Sequence, residues 1–312
     1  MTSAIQPGTT YNFKSIIEEN RPQLQPPVCN KMLHNDGPLK VMIVGGPNIR
    51  KDYHINEGEE IFYMIEGDMC LKVMEQGEPK DVPIKQGEVF VLPGGVPHSP
   101  QRFENTVGLV IERARDQEKE FDGLRYYVDD SNNEILWQRY FHCQDLGKEL
   151  VPLIKEFFAS EEFKSRVPTS SSIMESPFPD NTTAMLRAPY SLAPRFEELV
   201  PGGKQIKLGD SKDFVAEVCG NGSMTPAMPI ETEVWIWQLV GESNVDGKTL
   251  KQGECCLFPK GMQDWNFGDI FGSASSPRLT AGSGDNENAS VIKASEKSIA
   301  MIVYTTAISL PE

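Results

Sequence analysis

Two stretches in the second half of the sequence repeat two stretches in the first half. Residues 87–95, GEVFVLPGG, are echoed at the same spacing by residues 253–261, GECCLFPKG. Residues 60–67, EIFYMIEG, are echoed with one extra residue by residues 233–241, EVWIWQLVG. Each copy is a short apolar run of the kind that forms a strand, and Gly or Pro turns punctuate it. The repeat predicts two copies of one β-domain, in a chain long enough to hold both.

Short strands dominate the rest of the chain as well. In the first half they are predicted at residues 40–44, 59–65, 69–74, 88–92 and 108–112, and in the second half at residues 204–208, 214–219, 233–240, 254–258 and 299–304. Strands of this length and spacing predict a sandwich or small barrel of antiparallel strands. Helices are predicted near residues 13–19 and across Leu146, Leu150 and Ile154, where apolar residues recur every three or four positions.

A Ser-, Thr- and Pro-rich stretch follows the second helical segment and divides the chain. Its composition favours an extended, solvated linker over a packed element. We therefore expect a catalytic β-domain over residues 1–166, a linker over residues 167–184 and a second β-domain over residues 185–312. Residues 268–296 are polar and glycine-rich, and we expect them to form an inserted loop in the second domain.

Charge and cysteine usage limit the partners and the compartment. The 312 residues carry 45 acids and 30 bases, a net charge of −15, which argues against nucleic acid or an acidic membrane as a partner. The N-terminal residues lack the features of a signal peptide, and no apolar run approaches the roughly 20 residues of a membrane span. Six cysteines without a CxxC pair fit free thiols in a reducing compartment. These features predict a soluble, cytoplasmic protein.

Two of the four histidines, His54 and His98, fall inside the first copy of the repeated pattern. With Glu60 they supply two imidazoles and one carboxylate, the facial triad of non-haem Fe(II) oxygenases, which leaves positions open for substrate and O2. In a barrel, ligands on neighbouring strands would point into the interior. Each residue alone has a plainer interpretation. A lone histidine is usually a core or surface group, and Glu60 stands in an acidic run with Glu57 and Glu59.

The spacing around these three residues resembles the two motifs of the cupin superfamily. Gly67 lies seven residues beyond Glu60, and residues 87–98 follow the pattern G-x5-P-x-G-x2-H. The chain departs from the usual motifs at two positions. Asn56 replaces the second histidine of the first motif, and Arg102 replaces the asparagine that usually ends the second. The departures remove the common three-His-one-Glu site and leave two histidines and one glutamate beside an arginine.

This altered pattern resembles the 3-hydroxyanthranilate 3,4-dioxygenase family, in its two-cupin animal and fungal form. The resemblance is weaker beyond the linker, and it is carried by residues 18–22, 26–31, 45–54, 62–67, 87–102 and 108–113. It implies an all-β dominated fold of two cupin-type barrels, the second one degenerate, with a few peripheral helices. It also implies a monomer.

The same resemblance implies the reaction and its cofactor. One Fe(II) per chain would be held in the first cupin by His54, Glu60 and His98. The substrates would be 3-hydroxyanthranilate and O2, and the product 2-amino-3-carboxymuconate semialdehyde, which cyclises to quinolinate on the way to NAD.

Substrate contacts are implied for Asn30, Arg50, Glu60, Arg102 and Glu112, and catalytic roles for Glu112 and Arg50. A planar guanidinium can grip the substrate carboxylate through paired hydrogen bonds, and Arg102 lies four residues past a predicted ligand. Arg50 could steady either that carboxylate or the oxygen. Glu112 would accept a proton or a hydrogen bond from the substrate hydroxyl or amine. The plainer alternatives are a surface arginine for Arg102 and a salt bridge for Glu112.

The second copy of the repeat lacks histidine ligands. Asp264 stands where His98 stands in the first copy, and no histidine follows His142. Glu231, Glu233 and Asp264 could together hold a hard cation. A structural, metal-free second cupin is nevertheless the expectation.

Two rival functions stay open at this point. One is a different cupin enzyme, such as a metal-dependent isomerase, although such enzymes typically keep the histidine that Asn56 replaces. The other is a non-enzymatic bicupin, which would have no use for Arg50, Arg102 and Glu112 around one open metal site.

Overall fold

The computed structural model describes residues 5–26, 29–48, 51–131, 134–199, 205–209, 214–220, 232–245, 248–259 and 298–305. Its first twelve strands are β1 Thr10–Asn12, β2 Asn30–His34, β3 Leu39–Gly45, β4 Tyr53–Asn56, β5 Glu60–Glu66, β6 Met69–Glu75, β7 Glu78–Ile84, β8 Glu88–Leu92, β9 His98–Arg102, β10 Val107–Arg113, β11 Asp122–Tyr127 and β12 Ile135–Phe141. The later strands are β13 Tyr190–Ser191, β14 Gln205–Lys207, β15 Phe214–Gly220, β16 Val234–Val240, β17 Glu242–Val245, β18 Lys248–Lys251, β19 Glu254–Phe258 and β20 Ile299–Thr305.

Helices are few and short. They are α1 Phe13–Asn20, α2 Leu146–Ala159, α3 Glu161–Ser165 and α4 Phe196–Leu199, with 3₁₀ turns at Arg21–Leu24 and Ala193–Arg195. Asn12 caps α1, because its side-chain oxygen accepts a hydrogen bond from the backbone N–H of Ser15. Among the described residues, no helix combines the length and the apolar character needed to cross a membrane.

The predicted strands and helices are confirmed, mostly with ends that differ by one residue. The other ten strands were not predicted: β1, β2, β4, β7, β9, β11, β12, β13, β17 and β18. Strand β9, with the sequence HSPQR, lacks the apolar alternation that indicates a strand. Its pairing with β6 on one side and β4 on the other makes it a strand. Tertiary context therefore decided the conformation of the segment that begins with His98.

Two antiparallel six-stranded sheets pack face to face, and all of their strands except β13 come from the first half. Sheet I has the order β13-β8-β5-β10-β3-β2, and sheet II has the order β12-β11-β4-β9-β6-β7. Alternate side chains of both sheets fill the space between them, as in other β-sandwiches. This inner core consists of Met42, Val44, Phe62, Met64, Met69, Leu71, Val73, Val82, Ile84, Phe90, Leu92, Val96 and Val110.

Sheet I is buried on both faces. On β10, Val110 faces the inner core, while Leu109 and Ile111 face the opposite way and join a second core. That second core includes Trp235 and Met301 of the second half. Burial on both faces explains why β3 and β10 are apolar at nearly every position rather than at every second one.

The two halves exchange a strand. Strand β1, near the start of the chain, pairs with β19 of the second half, with Thr10 opposite Cys256. Strand β13, which follows the predicted linker, pairs with β8 of the first half, with Tyr190 opposite Val89. Each half therefore completes a sheet of the other. The predicted domain boundaries at residues 166 and 185 stay a prediction, and strand pairing crosses them in both directions.

In the second half, sheet III has the order β1-β19-β16-β20-β15-β14, and β17 and β18 form a separate hairpin. The strand pairing in sheet III differs by one residue from the correspondence that the sequence repeat suggests. Glu60 pairs with Leu92 in sheet I, and Val234 pairs with the corresponding Phe258 in sheet III. The structural counterpart of Glu60 is therefore the apolar Val234 and not Glu233. Asp264, Glu231 and the predicted insertion at 268–296 lie outside the described residues.

Residues 167–184 are mostly exposed, and they are fixed to the first half. Asp180 forms an ion pair with Arg125, with one oxygen 2.6 Å from Nη1 and the other 3.0 Å from Nη2. The backbone N–H of Asn181 donates to the carbonyl of Gly95 over 2.8 Å. This stretch thus runs along the first half, and its role as a linker between two domains stays a prediction.

A buried polar contact joins the halves. Nε2 of His34 on β2 lies 3.0 Å from both carboxylate oxygens of Glu233, and the backbone N–H of Leu39 donates to one of them over 2.7 Å. A side chain at Gly37 would collide with this carboxylate, since a Cβ there would lie 2.3 Å from Oε2 of Glu233. Glycine at position 37 therefore permits the close approach of Glu233.

We expect Glu233→Ala to lower the free energy of unfolding by about 3 kcal/mol, because it leaves His34 and the Leu39 N–H buried without their acceptor. Urea unfolding followed by circular dichroism measures the change. Glu197→Ala, at an exposed position of the same half, is the control and should shift stability by less than about 0.5 kcal/mol. Equal effects of the two substitutions would contradict a stabilising role for the contact.

Candidate metal centre

His54 and His98 are cross-strand neighbours in sheet II. They are directly opposite each other in the pairing of β4 with β9, so both side chains project from the same face of the sheet. Their ring centroids are 5.2 Å apart. Glu60, the first residue of β5 in sheet I, meets them from the opposite side of the sandwich. One nitrogen of each histidine and one oxygen of Glu60 all lie within 4.8 Å of one another.

Hydrogen bonds orient both imidazole rings. Nδ1 of His98 lies 3.0 Å from the carbonyl oxygen of Val96, which leaves Nε2 3.2 Å from Oε1 of Glu60. Nε2 of His54 lies 2.6 Å from Oδ2 of Asp122, which leaves Nδ1 3.7 Å from the same Glu60 oxygen. A carbonyl or carboxylate on the far nitrogen is the usual way in which proteins fix a metal-binding histidine.

The charges at this centre perturb one another. Burial disfavours the charged form of His54, but the hydrogen bond to Asp122 and the nearby carboxylate of Glu60 outweigh burial and raise the pKa of His54 to about 9. Burial would raise the pKa of Glu60, but the neighbouring His98 and His54 hold it well below its usual value. Glu60 is therefore a carboxylate near neutral pH, as a metal ligand must be.

The donor set fits a divalent metal ion. Oε1 of Glu60 is fully buried and has no aligned hydrogen-bond donor, and a buried carboxylate oxygen in that state is costly unless a cation binds it. Two imidazoles and one carboxylate suit a transition metal rather than magnesium or calcium, which prefer oxygen ligands alone. His54, Glu60 and His98 would hold such an ion.

A cavity of about 120 Å³ adjoins the three residues. The predicted substrate residues Asn30, Arg102 and Glu112 all line it. His98 and Arg102 share a face of β9 because their separation is an even number of residues. Arg50 lies outside the described residues, and its predicted roles stay predictions.

Apolar side chains form the walls and the roof of the cavity. Phe62, Val110 and Pro100 come from the sheets, and Leu146, Leu150 and Ile154 come from α2. The three-to-four-residue spacing that predicted this helix also places one of its faces over the cavity. Sequence reasoning found the helix but did not assign it to the site.

Sequence reasoning also missed Asp122 and Arg115, which lie directly behind the centre. Burial raises the pKa of Glu112 in spite of the opposing charge of Arg115. Asp122 behaves in the opposite way, because Arg115 and His54 outweigh its burial and lower its pKa to about 2. Neither Asp122 nor Arg115 belongs to a spacing motif, so no signal in one sequence marks them.

Comparison with known proteins agrees with this geometry. The family model described as 3-hydroxyanthranilic acid dioxygenase matches residues 6–158. The 3-hydroxyanthranilate 3,4-dioxygenase of Mus musculus is 51% identical over 237 residues, which cover 74% of this chain and 81% of the mouse protein. The chain belongs to the 3-hydroxyanthranilate 3,4-dioxygenase family. The Homo sapiens member is 49% identical over 234 residues, which cover 73% of this chain and 80% of the human protein.

A solved structure supports the fold. The salicylate 1,2-dioxygenase of Pseudaminobacter salicylatoxidans aligns with a TM-score of 0.51 at 11% identity and covers 98% of this chain and 85% of that protein. The predicted cupin-like, all-β fold with few helices is confirmed. The two closed barrels, with the second one degenerate, stay a prediction, because the described strands after β13 belong to sheet III and one hairpin.

We expect a divalent transition metal to stabilise the metal-free chain by about 2.7 kcal/mol at a hundredfold excess over its Kd. Glu60→Gln should lose most of this gain because an amide cannot replace the anionic ligand. The free energy of unfolding, measured under anaerobic conditions with and without Fe(II), gives this stabilisation. Glu57→Gln, at an exposed position of the same acidic run, should keep the full gain. A gain in Glu60→Gln as large as in the unchanged chain would rule out this metal centre.

Proposed function

We propose that the chain is an Fe(II)-dependent 3-hydroxyanthranilate 3,4-dioxygenase that uses O2 to produce 2-amino-3-carboxymuconate semialdehyde. Family membership supports the ring-cleaving reaction. The observation that carries the proposal is one cavity that joins the His54, Glu60 and His98 cluster to Arg102 and Glu112. The product would feed quinolinate and NAD synthesis, as the family name implies.

Iron bound at His54, Glu60 and His98 would supply the redox chemistry that O2 needs and a template that aligns both substrates. Two histidines and one glutamate leave room at the ion for a chelating substrate and for O2. The buried position of all three side chains keeps bulk water away from the reacting groups.

The other side chains of the cavity have the charge and the apolar character needed to bind the carboxylate and the aromatic ring of the substrate. Arg102 is proposed to bind the carboxylate through paired charge-assisted hydrogen bonds. Phe62, Val110 and Pro100, together with the α2 residues above them, form an apolar slot for the flat aromatic ring. Asn30, half-buried on β2, is proposed to contact the substrate at the edge of the slot.

Glu112 is proposed as the proton acceptor for the substrate hydroxyl or amine. It is buried, and it shares the cavity with Glu60. Its raised pKa, caused by burial, brings it closer to the working pH, where a general base is most effective. Arg50 is proposed to steady either the substrate carboxylate or the oxygen. Monomeric state and cytoplasmic location stay predictions.

Reconstitution tests the function directly. The metal-free chain is loaded anaerobically with Fe(II), mixed with 3-hydroxyanthranilate and then exposed to air. We expect O2 uptake and a new near-ultraviolet absorbance from the semialdehyde. The absence of both signals, in a sample whose iron content is one per chain, would refute the proposal.

Arg102→Ala should raise KM about tenfold to a hundredfold with an unchanged iron content, because it removes a carboxylate-binding group and no metal ligand. Steady-state O2 uptake and iron analysis measure the two quantities. Gln101→Ala is the matched control, since Gln101 is the neighbouring residue of β9 and bonds to Ser99. Loss of iron from Arg102→Ala would show that Arg102 has a structural role instead.

A further inference from the structure

A buried arginine behind the site contacts both the partner of a predicted metal ligand and the predicted base. Nε and Nη2 of Arg115 each donate to an oxygen of Asp122 over 3.0 Å, and Nη1 donates to Oε2 of Glu112. Oδ2 of Asp122 is in turn paired with His54. These four residues are connected in series by hydrogen bonds, from the candidate metal centre to the predicted base.

All four side chains are almost inaccessible to solvent. The exposed fraction is 7% for Arg115, 0% for Asp122, 3% for Glu112 and 4% for His54. Burying charges is expensive, and apolar residues of similar volume often match or exceed the stability of a buried ion pair. Stability alone is therefore a poor reason for such a network behind a cavity.

We propose that Arg115 and Asp122 are positioning residues that hold His54 and Glu112 in a fixed relation to each other. The guanidinium is rigid and planar, and each of its three nitrogens is used. Nε and Nη2 hold the carboxylate of Asp122, and that carboxylate holds the imidazole of His54. The third nitrogen, Nη1, holds Glu112. The inference rests on the proposed function, because metal and substrate meet between these two side chains.

Arginine is specifically suited to this position. A lysine carries the same charge, but its ammonium group is a point charge and cannot reproduce the fork on Asp122 together with the bond to Glu112. Arg115→Lys therefore keeps the positive charge at position 115, but it removes the paired hydrogen bonds to Asp122 that are made together with the bond to Glu112. Asp122→Asn keeps the shape of the carboxylate and removes its charge.

Arg113 provides a matched control two residues away. It has its own carboxylate partner, with Nη1 2.7 Å from an oxygen of Glu120. Both side chains of that pair are partly exposed, at 13% and 16%, and neither lines the cavity. Arg113→Lys changes the same residue type in the same way, outside the proposed network.

The experiment compares these three variants with the unchanged chain. Anaerobic competition against a chelator gives the Kd for Fe(II) without turnover, and O2 uptake at saturating Fe(II) gives kcat and KM. Asp122→Asn should weaken Fe(II) binding about tenfold to a hundredfold, since the outer partner of His54 loses its charge. Arg115→Lys should lower kcat by a similar factor with a smaller change in KM, because Glu112 is misplaced. Arg113→Lys should stay within about twofold of the unchanged chain.

Unchanged Fe(II) affinity in Asp122→Asn, or unchanged kcat in Arg115→Lys, would overturn the proposal. If Arg115→Lys does not fold, the Fe(II) affinity of Asp122→Asn alone decides whether the proposal stands. Failure of the proposed function gives a different result, because the unchanged chain would then bind Fe(II) without consuming O2. A combined Asp122→Asn and Arg115→Lys variant should show non-additive losses, as expected for one connected network.

Discussion

The spacing between two facing sheets is the constraint on which the site depends. His54 and His98 project from sheet II, and Glu60 projects from sheet I, so the three ligands meet only if the sheets pack at the right distance. Packed sheets lie about 10 Å apart, a distance that their interlocking side chains set. The inner core of methionine, leucine, valine and phenylalanine side chains therefore sets the geometry of the metal centre as well as the stability of the first half.

Burial makes the electrostatics of this centre strong. In a medium that water does not enter, each charge needs a partner, and the chain supplies one to almost every group. Arg115 donates hydrogen bonds to both Asp122 and Glu112, and Asp122 in turn pairs with His54. One oxygen of Glu60 lies near both imidazole rings but has no well-aligned hydrogen-bond donor, and it is the atom that a cation would bind. The least satisfied atom of the network thus lies at the point where chemistry is proposed.

Much of this architecture could be predicted from the sequence, because apolar strands and glycine turns leave a local pattern. The strands that hold Glu60 and Glu112 were predicted closely. The triad was also predicted, since His54, Glu60 and His98 follow motif spacing. Strand β9 could not be predicted, because its polar sequence becomes a strand only through its neighbours. Asp122 and Arg115 were missed because their importance comes from three-dimensional contact with His54 and Glu112.

The exchange of strands between the halves has a consequence for how the protein is made. Strand β1 leaves the ribosome long before its partner β19, because the whole of the first half lies between them. Until then β1 lacks its partner strand, and the part of the outer face of sheet I that packs against Trp235 and Met301 is uncovered. Pairings between distant parts of a chain form slowly and leave apolar surface open to aggregation in the meantime. A ribosome that stalls in the second half would therefore release a first half that holds His54, Glu60 and His98 but exposes the apolar face that the second half otherwise covers.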